Sequence, residues 1–426
     1  MSTAESSPTA PPSDRRVLVV GGGIAGLVAA RRLVLGGRDV TVFEASQTLG
    51  GQVARHTVAG IEMDAAAESF ATRGGAVASL ASRLQLGDDI VTPEPLPAWL
   101  FRADGSAIAL PATSVLGIPG VPMASDVIAA IGWRAALRAE LDTLLPDVVG
   151  SRSATLGELV RSRMGRRVLE GLVTPVVRGV HSTTPDELAV ERAHPGLRAA
   201  LRQEGTLARA VLSLRDQSPA GSQVAGIRGG VARLVDALVA DLARFGVEVR
   251  TGARVTAFTS QSVSGDGWEA EGDVLLAASG VGPAAVPGRR VTLVTLVVDA
   301  PDLDAAPRGT GVLVAEGAPV AARALTHATA KWRWLAERAD GRHVLRLSYD
   351  KLPNDPLEQA TVDATVLLGQ PIGRVEGHAS ATWERAAPET HAVDGMHLVG
   401  ESGRGTGLAS IVAQAESEAD SMLGLS

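Results

Sequence analysis

Residues 16–44 read RVLVVGGGIAGLVAARRLVLGGRDVTVFE, and this stretch decides the fold. Arg16 to Val20 is a short β run. A helix follows, with Leu27, Ala30 and Leu33 on one face. Gly36-Gly37 ends it, and Asp39 to Glu44 forms a second apolar strand, which completes a βαβ unit. The turn between strand and helix, Gly21-Gly22-Gly23-Ile24-Ala25-Gly26, contains G-x-G-x-x-G. Its first glycine allows the tight turn, its second lets a pyrophosphate approach the backbone, and its third lets helix and strand pack closely. The free N–H groups and positive end of the helix then face the phosphates. Glu44, roughly twenty residues on, stands where an acid accepts hydrogen bonds from ribose hydroxyls. A glycine-rich turn beside a surface glutamate is the plainer alternative. Strand, helix, spacing and acid together favour a dinucleotide site.

Further glycine signals decide which dinucleotide. Gly50-Gly51 lies just beyond Glu44, followed by Asp64 and Ala67-Glu68-Ser69. Near the C-terminus, Gly400-Glu401 and Gly405-Thr406-Gly407 precede a last helix that could aim its N-terminus at the same cofactor. Three separated contacts suit FAD better than NAD, and there is no second G-x-G-x-x-G for a nicotinamide nucleotide.

Working outward, Trp99 to Leu110 reads as a hairpin around Asp104-Gly105. Ser125 to Leu214 is mostly helical, and Val231 to Phe245 is another helix. Strands are expected at Val247–Arg250, Val274–Ala278, within residues 291–350, and at Met396–Val399. The expected fold is α/β: a discontinuous Rossmann-type FAD-binding domain with an inserted helical domain and a β-rich substrate domain. In this division residues 1–14 are a disordered tail. The FAD-binding domain comprises 15–95, 215–285 and 383–426, the helical domain is 111–214, and the substrate domain is the hairpin 96–110 with 286–382.

Composition narrows the chemistry. A hydrophobic content of 45% fits a globular chain of 426 residues with two or three domains. The net charge of −7 gives no sign of a nucleic-acid binder, and an anionic substrate needs a local group of arginines. With no cysteines there are no redox dithiols or thiolate metal sites, and a cofactor must carry any redox chemistry. No metal is called for. No apolar run reaches the ~18 residues of a membrane span, and a cytoplasmic location is expected. Lys331 and Lys351 are the only lysines among many arginines, a coding bias of GC-rich genomes.

With these residues in view, the chain resembles the protoporphyrinogen/coproporphyrinogen oxidase family, within the amine-oxidase-like flavoproteins. The resemblance runs from about Arg16 to the C-terminus. It rests on the glycine motif with Glu44-Ala45, on Asp64 to Phe70 (family pattern D-x-G-A-E-S-F), and on LQLGDDIVTP at 84–93. LPATSVLGIP at 110–119, VLEGLVTPVVRGVHSTTPDEL at 168–188, the Thr-x-x-x-x-Lys-Trp stretch ending at Lys331-Trp332, and WERAAP at 383–388 add to it. There are departures. Ala66 stands for the usual Gly, Gln52 for a basic residue, Thr390 for an aromatic one, and Ala278-Ser279-Gly280 for Thr-Pro-Ala.

The resemblance implies FAD-dependent oxidation of a porphyrinogen to a porphyrin, in heme biosynthesis, with O2 as acceptor and H2O2 as product. The genomic habit favours coproporphyrinogen III, in the manner of the actinobacterial enzymes. Hydride goes to flavin N5, so no catalytic acid or base is assigned. Implied cofactor contacts are Gly21, Gly22, Gly23, Ile24, Ala25, Gly26, Glu44, Ala45, Gly51, Gln52, Ala66, Ala67, Glu68, Ser69, Val255 and Trp383. Gly400, Glu401, Thr406, Gly407, Leu408 and Ala409 complete the set. By its sequence alone Val255 is a plain core residue. Propionate carboxylates need cations, and Arg73, Arg178 and Arg346 are the candidates, with His181 as a further pocket residue. A transient contact with a heme-pathway enzyme would fit. The alternatives are a protoporphyrinogen IX oxidase, another flavoenzyme such as an amine oxidase or carotenoid desaturase, and a silent flavin or porphyrin carrier. A single tyrosine argues against an aromatic amine cage.

Overall fold

The computed structural model describes residues 16–425 apart from 147, 182, 217–223, 279–288, 386–395 and 401–406. The expected tail at 1–14, and Ser279-Gly280, Thr390, Glu401 and Thr406, lie outside the described residues. The Val17–Val20 strand is the centre of a five-stranded sheet. Its order is Glu248–Arg250, Val40–Phe43, Val17–Val20, Asp273–Leu276, His397–Leu398, with every pairing parallel. The sheet is covered on both faces, which is why its central strands read as unbroken apolar runs. Val17 and Val19 point into a core shared with the helices Ile24–Leu35, Arg233–Arg244 and Leu408–Met422. Leu18 and Val20 point the other way, into a core with Phe43, Val255 and Val274.

A three-stranded antiparallel sheet closes that second face, at Ala257–Phe258, Ser262–Gly265 and Trp268–Glu271. Phe43 stacks on Trp268 with ring centroids 4.8 Å apart. The sequence reading passed over this sheet. Its signal is present in the Asp266-Gly267 pair, a two-residue turn that favours a hairpin.

A seven-stranded sheet lies beyond, built mainly from residues 289–385, with the 98–109 hairpin at its edge as expected. Alternation gives it two unlike faces. Val294, Leu296, Leu345 and Leu347 pack into a dry core with the helix Pro356–Leu368. The opposite face carries Thr295 paired across from Arg346, and Leu293 across from Ser348. On that face Leu293, Ser348 and Ala324 are only half-buried although they sit on inner strands, and so are Ala381 and Trp383 on the edge strand Arg374–Arg385. Residues 111–214 are mostly helical, as the sequence indicated, around a core that includes Leu156, Val160, Val173, Leu197 and Val211.

Candidate functional site

The glycine turn separates into residues the chain itself requires and residues it does not. A Cβ at Gly26 would lie 2.0 Å from the Gly21 carbonyl oxygen, and one at Gly22 would lie 2.4 Å from the Leu49 side chain. Gly21 has φ +110° and backs onto Ala278. Gly23 is different. Its φ of −71° suits any residue, and an added Cβ meets no protein atom within 4 Å. Neither packing nor backbone strain explains a glycine there. Space kept clear for a phosphate does. Gly23 also caps the Ile24–Leu35 helix without any side-chain hydrogen bond, which leaves the first N–H groups of the helix for an anion. This is the observation by which the chain fits a dinucleotide.

Glu44 closes the loop. Its carboxylate accepts the Gly22 N–H at 2.7 Å and the Ser46 N–H at 2.8 Å. The segment after the Glu248–Arg250 strand runs alongside, with the Ala253 N–H donating to the Glu44 carbonyl, and it carries the buried Val255. Gly50 donates to the Gly22 carbonyl, and a Cβ at Gly51 would lie 3.4 Å from the Gly23 Cα. The second glycine pair therefore packs against the first. A Cβ at Gly400 would likewise lie 3.4 Å from the Ala25 Cβ. Gly407 starts the Leu408–Met422 helix with φ +91° and open space at its Cβ position, and no side chain caps that helix either. Widely separated glycine segments thus meet at one place.

The Ala66–Ser69 loop continues from there. The Ala67 N–H points at the Gln52 carbonyl at 3.5 Å, and the Ala66 carbonyl accepts Arg346 Nη2–H at 2.9 Å. Glu68 is gripped by two cations, with Lys331 Nζ 2.6 Å from Oε1 and Arg346 Nη1 on Oε2. Burial would push the Glu68 carboxyl up, but Lys331 and Arg346 overcome it and hold the group down at about 2. Asp64 behaves oppositely. It accepts the Val231 and Ala232 N–H groups at 2.9 and 3.0 Å, capping the Arg233–Arg244 helix, yet burial raises it to about 6.

The three arginine candidates have different fates. Arg346 is buried and committed to Glu68 and the Ala66 carbonyl. Arg178 donates to Glu316 at 2.6 Å, joining the Thr174–His181 helix to the sheet region. Arg73 is exposed and has no hydrogen bond or ion pair among the described residues, although desolvation of its guanidinium lowers its pKa. His194, which sequence reasoning missed, lies within its field. Burial, followed by the positive charge of Arg73, pushes that imidazole down to about 4. Ala-His-Pro-Gly at 193–196 gave no more than a turn signal. The side chain of His181 is outside the described residues. Trp383 pairs opposite Val291 on the half-buried sheet face.

Comparison with known proteins agrees with this architecture. Residues 24–306 match the family described as flavin containing amine oxidoreductase. The chain belongs to that family. It is therefore a flavin-dependent oxidoreductase. It is similar to the coproporphyrinogen III oxidase of Mycobacterium leprae, 30% identical over 82% of this chain and 81% of that one. The coproporphyrinogen III oxidase of Propionibacterium freudenreichii is 26% identical over 88% and 81%. Among solved structures, one from Exiguobacterium sp. 255-15, provisionally named a protoporphyrinogen oxidase, superposes with a TM-score of 0.82 at 23% identity. It covers 97% of this chain and 99% of that one. A putrescine oxidase bound to putrescine gives 0.64 at 14% identity over 96% and 99%. Among the described residues no helix is long and apolar enough to cross a membrane, and no group of three or more acidic, His or Cys side chains could hold a metal ion.

Proposed function

We propose that the protein oxidises coproporphyrinogen III to coproporphyrin III with FAD as cofactor, O2 as acceptor and H2O2 as product, in heme biosynthesis. The observation that carries the cofactor part is the clear space at Gly23 between Glu44 and the Gly50-Gly51 pair. Glu44 and Val255 would hold the adenosine end, and Gly23 with the helix N-terminus the pyrophosphate. Gly51, Gln52 and Ala66 to Ser69 would line the ring end, with Trp383, Gly407, Leu408 and Ala409 completing it. The substrate part is supported by the relatives named coproporphyrinogen III oxidase, which align over most of the chain.

When bound, FAD supplies a two-electron acceptor for hydride leaving a porphyrinogen meso carbon. Six electrons leave in three such turnovers, each returning one O2 as H2O2. The chain's own residues bind, orient and exclude water. We assign the half-buried sheet face around Leu293, Ser348 and Ala381 as a wall of the porphyrinogen cleft. Of the three candidates we assign Arg73 to a propionate, because Arg178 and Arg346 already have carboxylate partners. The domain division stated from the sequence is kept in this reading: residues 15–95, 215–285 and 383–426 bind FAD, 96–110 and 286–382 hold substrate, and 111–214 is the helical insertion. A transient contact with another heme-pathway enzyme and a cytoplasmic location belong to the same reading.

The test is anaerobic stopped-flow mixing with coproporphyrinogen III and, separately, protoporphyrinogen IX, followed by H2O2 detection in air. A site that pairs extra carboxylates discriminates against vinyl groups, so coproporphyrinogen should reduce the flavin faster. Faster reduction by protoporphyrinogen moves the assignment to that substrate. No reduction by either contradicts the proposal.

A further inference from the structure

We infer that Ala324, Ser348, Leu293 and Ala381 form the floor on which one face of the substrate's ring system lies, and that the small side chains of Ala324 and Ala381 set the breadth of ring the protein accepts. The inference rests on the porphyrinogen reading and names the residues that give that site its specificity. Its first support is register. Ala324 pairs with Ser348, Ser348 with Leu293, and Leu293 with Ala381. The four therefore stand in one row across four adjacent strands and on one face of the sheet. The row is about 14 Å long, since neighbouring strands lie roughly 4.8 Å apart. All four residues are half-buried. In the next row on the same face, Arg346 and Thr295 are buried. The opening over the sheet thus begins at this row.

The second support is what bounds the row. Leu313 continues it, directly opposite Ala324. There a Cβ at Gly179 would lie 2.6 Å from the Leu313 side chain, so the Thr174–His181 helix closes that end. Along one side, Arg346 of the buried row holds Glu68 and the Ala66 carbonyl. At the far end, Ala381 is two residues before Trp383, which lies on the same face. In the porphyrinogen reading Ala66 to Ser69 and Trp383 line the flavin ring. The redox ring then sits at the Ala381 end, and a substrate laid along the row reaches from there to Ala324 and the helix.

The third support is side-chain chemistry. On their other face the same strands carry Val294, Leu325 and Leu347, large aliphatic residues that fill a dry core. The floor has two alanines, a serine and one leucine instead. Alanine is a poor strand residue, and half-exposed strand positions ordinarily take larger side chains. Small residues at both ends of the row make it flat and leave it broad. It has no charged or aromatic side chain, so an amine cation would find neither a counter-ion nor a ring face on it. A wide ring with an apolar face and carboxylates at its rim matches it, the apolar face being buried and the carboxylates left outside the floor.

The experiment uses purified holoprotein and two probes, coproporphyrin III for binding and coproporphyrinogen III for anaerobic flavin reduction. The variants are Ala324→Leu and Ala381→Leu. Each should weaken coproporphyrin III binding at least tenfold, read by fluorescence titration. Ala324→Leu, remote from the redox ring, should raise the half-saturating porphyrinogen concentration at least tenfold and leave the limiting rate of flavin reduction within threefold of wild type. Ala381→Leu, beside the ring, should lower the limiting rate as well. Flavin content and the rate of flavin reduction by dithionite should not change in either. A purely structural role would appear as lost flavin or a lower urea midpoint, with the porphyrin dissociation constant unchanged in the protein that stays folded, and that result overturns the inference. Where Ala381→Leu does not hold flavin, Ala324→Leu decides alone. A wild type that oxidises coproporphyrinogen III while both folded variants bind coproporphyrin III as it does overturns the inference only. A wild type that neither binds nor oxidises the tetrapyrrole overturns the porphyrinogen reading as well.

Discussion

Two buried ionic clusters in this protein look alike in the sequence and differ in the structure. In the helical region Asp142 and Arg163 are both fully buried and joined through Arg163 Nε. Their remaining capacity is used. Asp142 also accepts the Leu207 and Ala208 N–H groups, and Arg163 donates to the Val149 and Gly205 carbonyls at 2.9 and 2.8 Å. The pair is neutral, and no side-chain atom of either residue is left without a partner. The Glu68–Lys331–Arg346 cluster joins one carboxylate to two cations and leaves Arg346 Nε unpaired. It also borders the glycine segments. The first cluster ties together segments of the helical region, whereas the second ties the Ala66–Ser69 loop to the Ala328–Lys331 turn and the His343–Tyr349 strand.

The largest effect expected from this contrast is on cofactor retention at the glycine segments beside the Glu68 cluster. Gly23→Val should give a folded protein without flavin, because the new side chain fills only the phosphate space. Gly26→Val, whose side chain would strike the Gly21 carbonyl, should fail to fold as well. Absorbance of the purified variants and their circular dichroism check both outcomes. Normal flavin content in Gly23→Val would show that the phosphates bind elsewhere.

Next comes stability. Arg163→Met strands a fully buried carboxylate and should cost about 3–5 kcal/mol in urea unfolding. Its flavin potential should match that of wild type in whatever protein remains folded. A potential that moved would erase the distinction between the two clusters.

Arg73→Ala should be milder and confined to substrate. Losing charge-assisted hydrogen bonds to a carboxylate should cost about 1.5–3 kcal/mol. That is roughly 10- to 150-fold in kcat/KM with coproporphyrinogen, with flavin content unchanged. Unchanged kinetics would return Arg73 to an ordinary surface residue.

The smallest effect is the pH dependence of stability. Glu68 sits at about 2 in the folded protein against a usual 4.5. Its contribution is complete above 4.5 and is lost as the pH falls toward 2. Asp64, raised to about 6 from 3.8, has the opposite sign: its contribution is present below 3.8 and lost as the pH rises through 6. Urea midpoints of wild type and Glu68→Gln, followed from pH 5 to pH 3, should therefore converge as the pH falls. Parallel curves would show that Glu68 is not held ionised by its two cations.

Much of the parallel sheet and its glycine turn was legible, because period, turn chemistry and acid spacing are local features within 30 residues of one another. The 98–109 hairpin was legible for the same reason. The ionic clusters were not. Lys331 and Arg346 meet Glu68 across 263 and 278 residues, a distance no periodicity spans. One clue was available. Arg346 sits within an apolar strand run, and an arginine buried there requires a carboxylate. The sequence reading instead offered Arg346 to the substrate. Arg178 was likewise placed in the pocket on pattern alone, whereas its pairing with Glu316 depends on how the helical region meets the sheet. His194 became visible only beside Arg73, which is 121 residues away in the chain.

The most direct test of the account is the identity of whatever the purified protein releases on denaturation. In the proposed reading Gly23, Glu44 and the Gly50-Gly51 pair hold a cofactor that has both a pyrophosphate and an adenosine ribose. The account predicts a yellow protein that releases FAD at close to one per chain. Release of FMN alone, or a colourless protein that does not take up added FAD, would contradict it.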